Sequence, residues 1–145
     1  MADITIKVSR IGNSTNLSLK QEENGVITDP QNDSLDTEVD LNQTIKWKVD
    51  PSPDSGRSND IILEHIKAKD AKGNYINSQQ ILIDAEYNAV YTSDPKGIIT
   101  GTVVATAPTP KKPGTKPFEN YQIGWRKSSE SAQTEHWDDP KLIMR

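Results

Sequence analysis

Along this chain large apolar residues recur at every second position in short runs, and Pro, Gly, Asn and Asp divide one run from the next. The clearest runs are Leu41-Asn-Gln-Thr-Ile-Lys-Trp-Lys-Val49, where Ile45, Trp47 and Val49 fall on one side, and Tyr121-Gln-Ile-Gly-Trp125. Successive side chains of a strand point to opposite faces. A period of two therefore sends one set of residues into a core and leaves Lys, Thr, Gln and Gly outside. Short alternating runs between turn formers predict an all-β chain, and the expected architecture is an antiparallel two-sheet β-sandwich.

The individual elements follow from the same pattern. Ile4, Ile6 and Val8 alternate with Thr5 and Lys7, and Leu17 and Leu19 flank Ser18, which predicts strands over 3–9 and 15–20 joined as an opening hairpin through Gly12-Asn13-Ser14. Residues 25–28 give at most a short strand before the turn formers Asp29-Pro30-Gln-Asn-Asp-Ser34. The next strand is expected over 37–49, with a break near Asn42-Gln43. Residues 50–60 have two prolines, a glycine and no period, and read as an exposed loop. Ile61-Ile-Leu-Glu-His-Ile-Lys-Ala68 suits a helix or a strand, and its short length and three isoleucines favour the strand. Residues 79–83 and 87–92 give short strands, or one strand and an irregular piece, with a firmer strand inside 97–106. The four prolines of Pro108–Pro117 exclude that stretch from a sheet interior and make it an extended connection crossing between sheets. One strand over 118–127, a polar turn over 128–133 and a closing edge over 136–144 complete the chain.

At 145 residues the chain has the length of one domain, so a single sandwich of roughly seven to nine strands is expected over 1–145. Ile, Leu, Val and Phe make up 30 of the 145 residues. That is close to the ~20% below which strongly charged chains stay disordered. Here the net charge is only −4, and three Trp and four Tyr add large buried areas. The 17 basic residues are balanced by 21 acidic ones and do not cluster beyond Lys111-Lys112 and Lys116, so nucleic acid is not an expected partner. No stretch approaches the ~20 apolar residues of a membrane helix. The start, Met1-Ala-Asp-Ile-Thr-Ile-Lys-Val8, has neither a basic leader nor a continuous apolar segment, and a cytoplasmic protein with no membrane partner is expected. Without Cys there is no disulfide, thiolate metal site or cysteine nucleophile.

Two segments carry a resemblance. Leu41-Asn-Gln-Thr-Ile-Lys-Trp47 is similar to the part of cupredoxin-like sandwiches where a short turn precedes a strand with an inward aromatic. Phe118-Glu-Asn-Tyr-Gln-Ile-Gly-Trp125 followed by His136-Trp-Asp-Asp-Pro-Lys-Leu-Ile143 resembles the closing hairpin of bacterial inclusion-body proteins of the AidA/PixA type, which end in an aromatic, Asp-Pro and an apolar strand. The resemblance implies an Ig-like or cupredoxin-like Greek key among abundant bacterial proteins that are not known as enzymes, and it transfers no site residue. A blue-copper centre needs a thiolate beside two imidazoles, so a chain without Cys is no such electron carrier.

Few residues offer chemistry. The only histidines are His65 and His136. They could share a transition metal with Asp138 or Asp139, against the plainer reading of one strand-face and one loop histidine. No Gly-x-Ser-x-Gly turn supports a serine nucleophile, and no Gly-rich loop cradles a phosphate. Asp50, Asp54, Asn59 and Asp60 are oxygen donors of one loop and weak calcium candidates, but their spacing is not that of an EF-hand, and solvated turn formers explain them equally well. Trp47 and Trp125 alternate with apolar neighbours and belong to the core. Trp137 does not, and with His136, Asp138 and Asp139 it forms the candidate contact site for a ligand or partner. The expected function is non-enzymatic: a structural or protein-interaction subunit, bacterial, without cofactor, self-associating or docking through sheet edges and loops. The alternative is a carbohydrate- or small-ligand-binding module using exposed aromatics, with or without structural calcium.

Overall fold

A computed structural model describes residues 2–10, 16–28, 35–50, 60–67, 79–83, 90–92, 97–110, 112–131 and 133–145. The chain is an all-β sandwich. Its five-stranded sheet runs in the order β3 (Val26–Thr28), β2 (Leu17–Glu23), β1 (Ile4–Arg10), β5 (Thr44–Val49), β8 (Ile99–Thr102). A four-stranded sheet runs β11 (His136–Asp138), β10 (Gln122–Lys127), β6 (Ile61–Lys67), β7 (Val90–Thr92). A third, smaller sheet runs β4 (Asp36–Val39), β12 (Lys141–Met144), β9 (Phe118–Asn120).

The opening hairpin forms as its pattern predicts, with Ile4 opposite Glu23 and Arg10 opposite Leu17. Ile4, Ile6, Val8, Leu17 and Leu19 are fully buried. The hairpin then turns again at Asn24-Gly25, whose φ angles of 52° and 81° are both left-handed. Two such residues make the tight turn whose twist matches paired strands, and Asn-Gly is its preferred sequence. On the other side β1 pairs in parallel with β5, Ile4 beside Ile45 and Ile6 beside Trp47. A parallel neighbour needs a long crossover, and β2, β3 and β4 occupy it. β4 likewise runs parallel to β12. These two pairs depart from the purely antiparallel arrangement, because local alternation does not encode the direction of a distant partner.

The third sheet is built by strands turning corners. β4 continues into β5 after the turn at Leu41-Asn42, with Asn42 at φ 65°. The run 118–127 is two strands, β9 and β10, which separate at Tyr121 and join different sheets. The closing edge also divides, β11 from β12, at Asp139-Pro140. Strands that bend and change sheet close the ends of a sandwich over its core. Residues 103–110 and 112–117 carry no strand and cross from β8 to β9, as the prolines require.

The corner at Tyr121 is fixed from inside. Its ring is fully buried and meets Trp47 edge-on, with centroids 5.6 Å apart and planes at 64°. Trp47 Nε1–H donates to the Tyr121 hydroxyl at 3.2 Å. Burial pushes the phenol well above its ordinary pKa, so it stays protonated. Beside it the buried Glu119 carboxylate accepts the backbone N–H groups of Ile81 (3.0 Å) and Leu82 (3.3 Å), anchoring a segment that bridges to Val103. Replacing Tyr121 by Phe leaves the indole N–H unpaired in the core. That change should cost about 1–3 kcal/mol, seen as a lower urea midpoint at unchanged m-value; an unmoved midpoint would show that the bond contributes nothing.

Candidate functional site

Alternation separates the candidate contact residues within β11. In the antiparallel register of β10 and β11, His136 lies opposite Trp125, Trp137 opposite Gly124 and Asp138 opposite Ile123. Trp125 and Ile123 are fully buried, so His136 and Asp138 turn inward with them. Asp138, only 4% exposed, accepts the Trp125 Nε1–H at 2.9 Å. The His136 ring lies 4.8 Å from Trp125, and its Nε2 is 2.8 and 3.0 Å from the two Glu130 carboxylate oxygens. The Lys127 backbone amide, followed by His136, holds the Glu130 carboxyl below its ordinary pKa. This pair closes the hairpin turn.

Trp137 stands on the outward face. The six-membered end of the Trp137 indole rests over Gly124, where a Cβ would lie 2.9 Å from Cζ3 and 3.0 Å from Cη2. Only a residue without a side chain lets the ring sit there. His65 shares this face and packs against Trp137 with centroids 4.9 Å apart. A bulge aims it: Gly124 pairs with His65 but Trp125 pairs with Leu63, which leaves Glu64 as the extra residue of β6. Bulges re-aim side chains in this way. His65 Nε2 lies 2.8 Å from Glu135 Oε1, so Glu135, just before β11, is tied across β10 to β6. Asp139, exposed, follows the end of β11 and lines a concavity of about 210 Å³ together with Asn120, Tyr121 and Gln122.

His65 and His136 therefore lie on opposite faces of one sheet and do not share a ligand. Among the described residues no cluster of three or more His, Asp or Glu is placed to hold a metal ion. Of the calcium candidates, Asp60 receives the buried Arg10 guanidinium at 2.6 and 3.3 Å, and Asp50 faces Lys20 at 4.0 Å. Both carboxylates are paired with cations; Asp54 and Asn59 lie outside the described residues.

A second cluster has no local signature in the sequence. Arg145 reaches Glu23 at 2.6 Å and Asp40 at 2.7 Å, and donates to the Glu38 carbonyl at 3.2 Å, tying the chain end to the β2–β3 hairpin and the end of β4. The buried Gln43 side chain reinforces the junction, donating to Glu23 (2.7 Å) and to the Ala2 carbonyl (2.9 Å). Ala2, Glu23, Asn24, Val26, Asp40 and Arg145 line an open concavity of about 520 Å³. Beside it β3 is the outer strand of its sheet among the described residues, with Val26 67% and Ile27 57% exposed. Its one sequence cue is Asn24-Gly25; Arg145 is 122 residues from Glu23, beyond the reach of any local pattern.

No protein-family model matches the chain, and no curated protein matches it. Among the described residues no helix is long and apolar enough to cross a membrane.

The clamp has a pH signature. Hydrogen bonding to Arg145 holds the Glu23 carboxyl below its ordinary value of 4.5, and Glu23 and Asp40 raise the guanidinium in turn. A carboxyl whose folded pKa is depressed stabilises the fold above its unfolded pKa and loses that contribution as pH falls through the folded one. Glu23→Gln should lower stability near neutral pH by about 1 kcal/mol or less, since Arg145 is partly exposed. The difference from wild type in melting temperature should close below the carboxylate range; a gap independent of pH would refute the assignment.

Proposed function

We propose that this protein is a non-enzymatic structural and interaction subunit that associates with a second copy of itself through β3. The observation that supports this is the pair of exposed residues Val26 and Ile27 on β3, the outer strand of the five-stranded sheet among the described residues. A free edge presents unpaired backbone donors and acceptors, and soluble proteins usually guard it with Lys, Pro or a bulge. β3 is Val26-Ile27-Thr28, with no such guard inside it. The run Asn24–Thr28 is uncharged, so two copies can pair antiparallel about Ile27 with no like charges opposed. Asp29-Pro30 ends the run, since proline cannot donate to a ladder, and the interface is short and its occupancy concentration-dependent. The same reading places the protein in a bacterial cytoplasm and keeps the cupredoxin-like and inclusion-body resemblances as its setting.

Light scattering coupled to size exclusion over a hundredfold concentration range tests this reading. The wild type should shift from monomer towards dimer, and Ile27→Lys should remain monomeric with an unchanged circular dichroism spectrum. A wild type that is monomeric throughout, or an Ile27→Lys variant that still dimerises, overturns it.

A further inference from the structure

The outward face of the five-stranded sheet brings together lysines that lie far apart in the sequence. Lys7 of β1 pairs with Lys20 of β2 on one side and with Lys48 of β5 on the other. Paired residues point to the same face, so the three form a row across adjacent strands, about 10 Å from the first backbone to the last. All three side chains are half-buried. Like charges directly opposite each other destabilise a sheet. Two carboxylates offset part of that cost, Glu22 at 3.1 Å from Lys7 and Asp50 at 4.0 Å from Lys20. Among the described residues no carboxylate pairs with Lys48. We propose that this row binds a linear polyphosphate chain, whose oxyanions supply the negative charge that the sheet lacks there.

The surroundings of the row select its occupant. Glu22, opposite Thr5, bounds it on one side, and Asp50, which follows Val49 opposite Val8, bounds it on the other. Carboxylates on both flanks repel a broad polyanion, whether a membrane surface or a nucleic-acid duplex, and leave a lane one chain wide. The outward positions of β1, β2 and β5 hold lysine, serine, threonine and Glu22 alone. Without an aromatic ring there, bases have nothing to stack on. Without an apolar side chain, neither a bilayer nor a protein partner finds an anchor. Lysine meets phosphate as a point charge and demands no fixed geometry from it, which suits a flexible chain. The Thr5 and Ser18 hydroxyls beside the row add donors for phosphate oxygens.

Titration of the ¹⁵N-labelled protein with inorganic polyphosphate at low salt tests the row. The amide signals of Lys7, Lys20 and Lys48 should shift together, and affinity should fall as sodium chloride is added. Lys48→Glu should weaken binding about tenfold, because one attraction is lost and one repulsion gained, each worth up to about fivefold. This variant should melt no lower than the wild type, since Lys7 then faces an opposite charge. Lys116→Glu makes the same change of net charge in the exposed segment between β8 and β9, and it should bind as the wild type does. No binding, an equal loss in both variants, or a Lys48→Glu protein that binds like the wild type overturns the proposal. So does a DNA duplex that binds as tightly as polyphosphate at the same salt concentration.

Discussion

The contact between Trp47 and Tyr121 holds this fold together at the point where its three sheets meet. Trp47 belongs to β5 in the five-stranded sheet, whereas Tyr121 sits where β9 of the small sheet gives way to β10 of the four-stranded one. One edge-to-face contact and one hydrogen bond of 3.2 Å therefore join all three. Both polar atoms lie where water does not reach, so each needs the other: a buried N–H or O–H without a partner costs more than a made bond gains. Satisfying the pair leaves the corner a single low-energy arrangement, and β10 enters its sheet at the level that puts Gly124 outward and Trp125 inward.

Much of this was legible from alternation alone. Ile4, Ile6 and Val8, Leu17 and Leu19, Ile45 and Trp47, and Ile123 and Trp125 all enter the core on the side their period predicts. The break near Asn42 was legible as well, because Asn tolerates a left-handed backbone. The corner at Tyr121 was not. Glu119, Tyr121, Ile123 and Trp125 are all buried, so the period of two runs unbroken through a bend that moves the chain between sheets. A glutamate in that series reads as an outward residue, whereas here its carboxylate accepts the amides of Ile81 and Leu82 inside the fold. The parallel partners of β1 and β12 lie far along the chain, where no local rule reaches.

The candidate site was half legible for a related reason. His136, Trp137, Asp138 and Asp139 are neighbours in sequence, and grouping them treats a strand as a loop. The period of two turns His136 and Asp138 inward to complete the Trp125 environment and Trp137 outward over Gly124, while Asp139 lies past the strand beside Gln122. His65 and Gly124 join Trp137 only through register, and the bulge at Glu64 that aims His65 leaves no mark in composition. Arg145 illustrates the same limit, since its carboxylate partners come from the β2–β3 hairpin and the end of β4.

The strict division of β11 between core and surface also constrains how this hairpin can evolve. A slip of one residue against β10 turns every side chain to the other face. Trp137 would then be driven into the core, and Trp125 Nε1 would lose the Asp138 carboxylate. Single-residue insertions and deletions in β10 or β11 are thus closed to natural variation, whereas substitutions at the outward positions stay open. The outward positions can change one side chain at a time while the hairpin keeps its length.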